Sequence, residues 1–492
     1  MSATDGDFLP GSLGKERKRS SRVVILAVTL VAILIVGAVA WLAVQSSNKK
    51  HGPISIDGNA GFTSANGVVG GSGTASDPYI IADWNINAST DNGILIRHTD
   101  AHFVVRNCYV HNGGLNYIGI FLWGCVNGDL ENNTCSNGQS GIWLYISIHN
   151  TLSDNDCSNN VNGILLDTSS NNNTLVNNTC SNNGVGIWVG SSSYNTLVNN
   201  RCISSNTDHG IALHSSSYNT LSNNSCSSNY GAGISLVLSS KNTLSNNKCS
   251  ENNSCGIDLE ASDNNTLVGN DCSSNNGDGI DLLPVLQGST KNNILSNNNC
   301  SANLRFGMDI YRSSNNSLNN NKCCANNNTG MYLQESYKNT LSNNNCSSNN
   351  GDGIDLEVSS NNTLSNNIYS LNNHCGMRLV DSGSNVIIRN QLRNNLLPGV
   401  EIYWAYRSSL SSSNIISNNT FVGNNGAGST YNQSHIQAYD DGINNSWNST
   451  DGYGNYWSDW TTPDANHDGI VDQPYTISGS AGAKDYHPLT TP

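Results

Sequence analysis

Three aspartates, Asp258, Asp281 and Asp309, stand 23 and 28 residues apart, each two places after a glycine: Gly256-Ile257-Asp258, Gly279-Ile280-Asp281 and Gly307-Met308-Asp309. If the chain sets them on neighbouring strands, they lie ~4.8 Å apart. Like charges that close raise one pKa and leave an acid beside a base. Glycoside hydrolysis uses paired carboxyls ~5–9.5 Å apart, so these three are the candidate catalytic residues. Lower in the chain the same place holds Phe121, Trp143 and Trp188, and the place four past the glycine holds Trp123 and Tyr145. A contiguous exposed aromatic patch marks a recognition surface, and sugar rings stack on such platforms. Glu260, Tyr311, Asp355 and Glu357 fill the same two lanes further up and offer groups that bond hydroxyls. The stripe as a whole suits an extended glycan or cell-surface polymer. Cleavage wants a basic residue or histidine beside the acids, and Arg305 and Arg312 read as turn residues while Arg378 lies several units on. Binding without chemistry is therefore the expectation. The alternatives are a hydrolase or lyase using carboxylates on adjacent coils, or a merely solvated acidic face.

What must position these side chains is a repeat. Glycine followed by an aliphatic residue or Met recurs from Gly93 to Gly399, mostly at steps of 22 to 24 residues. A fixed period of this size means that single units cannot bury their own apolar faces and must stack. Within a unit, apolar residues alternate over short runs separated by Asn, Ser and Gly, which is strand and turn rather than helix. Three short strands in ~23 residues predict an all-β, right-handed parallel β-helix of about 14 coils. Strand alternation then sends the residues two and four past the glycine outward.

Columns fix the register. Asn recurs three residues past the central Leu of each unit from Asn155 to Asn390, where stacked amides can bond coil to coil. Two residues further on, Cys157 to Cys346 form a second column, which Cys108 and Cys135 are expected to extend backward. Stacked cysteines pointing one way have poor disulfide geometry and read as small apolar core residues. The chain has 492 residues, 12% of them charged, and a formal net charge of −14. That balance argues against nucleic acid as a partner.

Residues 1–22 carry a basic cluster, Lys15, Arg17, Lys18, Arg19 and Arg22, and residues 23–44 are uncharged and apolar. That run is long enough to span a bilayer, with the basic side retained in the cytoplasm and the solenoid outside. A single-pass membrane anchor is expected, with a cleaved signal peptide ending near Ala40 as the rival. Residues 45–52 read as a linker, 53–428 as the β-helix with its N-terminal cap, and 429–492 as a Trp- and Tyr-rich C-terminal cap. Within the latter, Asp464, Asn466, Asp468 and Asp472, with the carbonyl of Ile470, match the first half of an EF-hand loop around Gly469. Its twelfth position is Tyr475 in place of glutamate. Calcium is the possible cofactor, and an Asx-rich turn capping its own amides is the alternative.

The cap residues Ile56-Asp57-Gly58-Asn59, Gly71-Ser72-Gly73-Thr74 and Asp77-Pro78-Tyr79-Ile80-Ile81, the Gly-Ile coils, and the ending Gly454-Asn455-Tyr456-Trp457-Ser458-Asp459 resemble NosD-like right-handed β-helix proteins, which are grouped with carbohydrate-binding and sugar-hydrolase domains. The resemblance covers roughly residues 53–492 and implies the fold. It also implies periplasmic copper handling, for which His98, His102 and His111 are the candidates, since Met308, Met331 and Met377 fall at inward positions.

Overall fold

The computed structural model describes residues 49–285, 290–405 and 411–492. The basic segment 1–22 and the apolar run 23–44 lie outside them, and among the described residues no helix is long and apolar enough to cross a membrane.

The chain winds as a right-handed parallel β-solenoid of about 14 turns. Two 16-stranded sheets run its length, parallel throughout except for the antiparallel first pair of the second, Val68–Gly70 with Tyr79–Ala82. One is built from the Gly-Ile-x-Leu strands, from Ile54–Asp57 through Ile257–Glu260 to Ala438–Asp440; the other from the Asn-Thr-Leu strands, from Val68–Gly70 to Ile415–Ser417. The third side is a true sheet only at the two ends, with four strands at each. Between them single bridges join Asp156, Thr179, Arg201 and their successors.

The bend after each Asn-Thr-Leu strand follows in most coils from an Asn pair. The first member takes positive φ (Asn177 56°, Asn199 55°, Asn246 53°), a conformation asparagine tolerates better than most residues. The second turns inward. Asn247 donates its main-chain N–H and its side-chain amide to Asn270 Oδ1, both at 3.0 Å, and the amide also reaches Leu221 O. Two further amide columns, Asn150 to Asn445 and Asn160 to Asn424, and a serine column from Ser147 to Ser411, use the same device at the other bends.

The core between the sheets is thin where the recurring glycine faces cysteine. A Cβ on Gly186 would lie 2.8 Å from Cys202 Cβ and collide with the carbonyl of Gly210. Met308, Met331 and Met377 are fully buried beside them. All fifteen cysteines are free, and all but Cys324 are buried. Burial pushes the thiols of Cys157 and Cys180 well up, so they pack as neutral groups.

Three sequence expectations need correction. Val110, not Cys108, pairs with Cys135. Cys108 takes the asparagine place, its N–H donating to Asn133 Oδ1 at 3.0 Å, so that ladder begins at Asn133. The 45–52 linker includes a strand, Lys49–His51, paired with Trp84–Asn87. The solenoid does not stop at 428, because Ala438–Asp440 and Tyr456–Trp457 continue its sheets. Phe421, Trp457 and Tyr475 then stack at 4.1 and 4.0 Å between ring centres and close the upper end of the core.

Candidate functional site

The strands of the Gly-Ile-x-Leu sheet align residue on residue, so the two lanes exist in space. Phe121 pairs with Trp143, and Trp123 with Tyr145, on adjacent coils. Phe121 and Trp143 stack with centres 5.1 Å apart, while Tyr145 meets Trp123 and Trp143 edge-on at 6.1 and 6.3 Å. The four rings form one cluster. They are half-buried, not fully open, because each shields its neighbours. Trp188 is not part of it: Leu165 stands between Trp143 and Trp188, whose ring lies against His214 at 6.1 Å.

Above the rings, Asp258 pairs with Asp281 and Asp281 with Asp309. These side chains do not stand open on the sheet. Asp258 is 8% exposed and Asp281 9%. Burial, then Glu260, pushes Asp258 up to about 7. Burial, then Asp278, Asp258 and Asp309, pushes Asp281 well above the carboxylate range. Asp309 also rises to about 7, by burial and Asp278. Ser235 Oγ donates to Asp258 Oδ2 at 3.3 Å, but one oxygen of each of the three acids is buried without a hydrogen-bond partner. Glu260 sits beside Leu283 on the outer lane, and Tyr311 is covered by Arg312, 4.9 Å from its ring centre.

The basic residue missing from the sequence reading is present. Arg305 reaches back one coil to Asp278 at 2.9 Å, and Phe306 N–H donates to the other oxygen of Asp278. The same arrangement recurs higher up. Asp352 accepts from Cys375 N–H at 2.8 Å and faces Arg378 Nε at 3.3 Å, and Arg378 Nη2 bonds Asp355. Tyr332 and Asp355 are neighbours on the lane, and Tyr332 donates to Glu357 at 2.6 Å. Phe306, Asn328, Thr329, Tyr332, Asp352, Asp355, His374 and Arg378 enclose a pocket of about 290 Å³. Sequence reasoning singled out Asp355 and Glu357, set Arg378 aside as several units away from the three aspartates, and passed over Asp278, Asp352 and His374. The available signal was the tetrapeptide Asp-Gly-Ile-Asp, which occurs at 278–281 and again at 352–355.

In the C-terminal loop, Asp464 accepts from the N–H groups of Asp468 and Gly469, Asp468 from Ile470 N–H, and Asp472 from Ala465 N–H. Asn466 donates to Asp468 at 2.9 Å. These carboxylates cap the turn's own amides. Among the described residues no group of three or more His, Cys, Asp or Glu side chains is arranged to hold a metal ion.

The sequence model of the family described as periplasmic copper-binding protein (NosD) matches residues 54–208 and 278–462, together more than half of the chain. The chain belongs to the NosD family. A model described as right-handed beta helix region also matches, over residues 181–322. No curated protein matches. Among solved structures, the periplasmic alginate epimerase AlgG is similar at 14% identity and a TM-score of 0.34, over 75% of this chain and 84% of that one. The Azotobacter vinelandii mannuronan C-5 epimerase AlgE6 A-module is similar at 11% identity and 0.33, over 74% and 87%. The catalytic domain of a GH87 alpha-1,3-glucanase with nigerose is similar at 15% and 0.34, over 55% of each chain. These are likenesses of fold.

The NosD description also fits the copper alternative, for which the described residues show no group of three or more His, Cys, Asp or Glu arranged to hold a metal ion. His98 Nδ1 is engaged by Asp57 at 3.0 Å and His111 Nε2 by Asn85 at 3.0 Å, and the methionine thioethers lie sealed in the core. Copper sites need such donors converging on one accessible point.

Proposed function

We propose that this NosD-family solenoid binds an extended glycan or cell-surface polymer along its Gly-Ile-x-Leu face, outside the cytoplasm. The observation that carries this is the cluster of Phe121, Trp123, Trp143 and Tyr145, four half-buried rings contributed by two coils of one sheet. A soluble surface rarely presents so much aromatic area without a partner, and the acids aligned above it continue the stripe toward hydroxyl groups. The periplasmic description of the family supports the extracytoplasmic placement, and the apolar run 23–44 suits a single-pass anchor. Retention of the full chain on immobilised polysaccharides tests the reading. Trp123→Ala with Trp143→Ala is expected to reduce retention at least tenfold, since each lost stacking contact costs about 1 kcal/mol or more. Unchanged retention would remove the platform from the binding face.

At the C-terminal loop, calcium remains the reading to test. Asp464 and Asn466 both turn an oxygen to Asp468 N–H in a turn built on Gly469, whose φ is 86°, and weak extracellular calcium loops set their oxygens around such a glycine. A rise in melting midpoint with millimolar calcium, reversed by chelator and lost in Asp464→Ala, is the expected result. An indifferent midpoint would leave the turn to its capping bonds.

A further inference from the structure

The pocket at Asp352, Asp355 and Arg378 combines features that the aromatic end of the face lacks. We propose that it is a hydrolytic acid–base centre acting on a neutral glycan held along the face, with Asp355 as proton donor, Asp352 as base and Arg378 as the residue that positions both. The proposal rests on the binding reading and extends it from recognition to cleavage.

Geometry comes first. Asp352 precedes Gly353 in the turn and Asp355 lies on the strand that follows, and one guanidinium from the coil above holds both. Their side chains are 4% and 3% exposed, yet both line the pocket. One oxygen of Asp355 is bonded to Arg378 and the other is buried with no partner. A buried carboxyl oxygen left unpaired is costly, and a substrate oxygen arriving in the pocket would relieve it. Burial raises Asp352 as well, but it accepts from Cys375 N–H and faces Arg378, contacts that pull back toward the carboxylate. Tyr332, stacked on Phe306 at 4.9 Å, supplies a ring wall for the apolar face of a sugar.

Charge selects the substrate. Asp352, Asp355 and Glu401 lie around the Arg378 guanidinium and Glu357 lies near Asp355, with His374 at the rim, so the pocket carries excess negative charge and disfavours a uronate. Burial pushes Asp355 up to about 6 despite Arg378, so it holds a proton in mildly acidic solution.

In the step itself, the Asp355 proton passes to the glycosidic oxygen as the C1–O bond breaks. The oxygen of a water molecule bonds to C1, and its proton passes to Asp352. One water is consumed per bond, nothing is oxidised, and solvent returns a proton to Asp355 as Asp352 loses one. Two carboxyls in these roles are the usual apparatus of glycoside hydrolysis.

The experiment uses the full chain in detergent with soluble glucan, mannan, galactan and xylan as neutral probes and polygalacturonate as the anionic one. It records retention and reducing-end release on the same samples. The wild type is expected to release reducing ends from a neutral chain that it retains. Asp355→Asn should lower release at least about 100-fold, as loss of a general acid does, a far larger change than any it makes in retention. Release should fall as pH rises past about 6. If Asp355→Asn melts early, Asp352→Asn and the wild-type pH profile carry the same test. Retention of neutral chains without release, or release unaffected by either variant, overturns the catalytic proposal and leaves the binding reading standing. Release from polygalacturonate alone overturns the substrate class. Failure to retain any chain overturns both.

Discussion

At the scale of single residues, the acids of the face matter through their protons. Asp258 and Asp309 sit near 7 in the folded chain against 3.8 in the unfolded one. The folded state therefore holds more protons across that window, and stability is present below about pH 4 and lost as pH rises through 7. Asp309→Asn is expected to flatten that slope and to raise stability at pH 8 by about 1–3 kcal/mol, read from denaturant midpoints at several pH values. The charged groups facing this pair, Glu260, Asp278, Asp281, His209 and Arg305, stay in place in the variant. That acids would stack could be read from their spacing. Their burial could not, because residues one place before the glycine, such as Asp278 and Cys255, lie close to them and follow no lane rule. The Arg305 and Arg378 pairings were hidden for a similar reason: a long side chain reaches back across one coil, and linear distance does not express that.

At the scale of the element, each bend is held by amides that bond along the column as well as to the main chain. Asn247→Ala would strip Asn224 of an acceptor for both its N–H and its side-chain amide, and would free Leu221 O. About 2–4 kcal/mol of destabilisation is expected, since unpaired buried polar groups cost roughly 1–3 kcal/mol each. The measurement is the urea midpoint, which should shift at constant slope. Gly186→Ala, at the thin part of the coil, should destabilise by about 1–3 kcal/mol as an overpacked site does, because Gly210 main chain and Cys202 stand in the way. One asparagine column was legible because it keeps a fixed offset from a leucine. The columns through Asn150 and Asn160 keep fixed offsets as well, two before and, in most coils, eight after the same leucine, even where Asn265 meets Asn293 across 28 residues; they are overlooked when the Asn-Thr-Leu run is read only as a strand marker. Cys108 misled for the opposite reason: its residue type suggested one column and its register belongs to another.

At the scale of the whole molecule, contacts run mainly between adjacent coils, so the protein behaves as a one-dimensional stack. The platform at Trp143 and the pocket at Asp355 are separated by nine coil-to-coil pairings. At one strand spacing each, that is roughly 43 Å. Glycan fragments shorter than this can engage only one of the two sites, while longer ones engage both and gain avidity. Affinity for a neutral chain is therefore expected to step upward once its length exceeds that span, and titration with size-graded fragments checks it. Because strands add only whole levels, the gap between the two sites is a ruler with discrete marks. Insertion or loss of one repeat would lengthen or shorten it by a single mark, leaving both sites on the same side of the rod. Selection for polymer length would then require no change to any side chain that touches sugar.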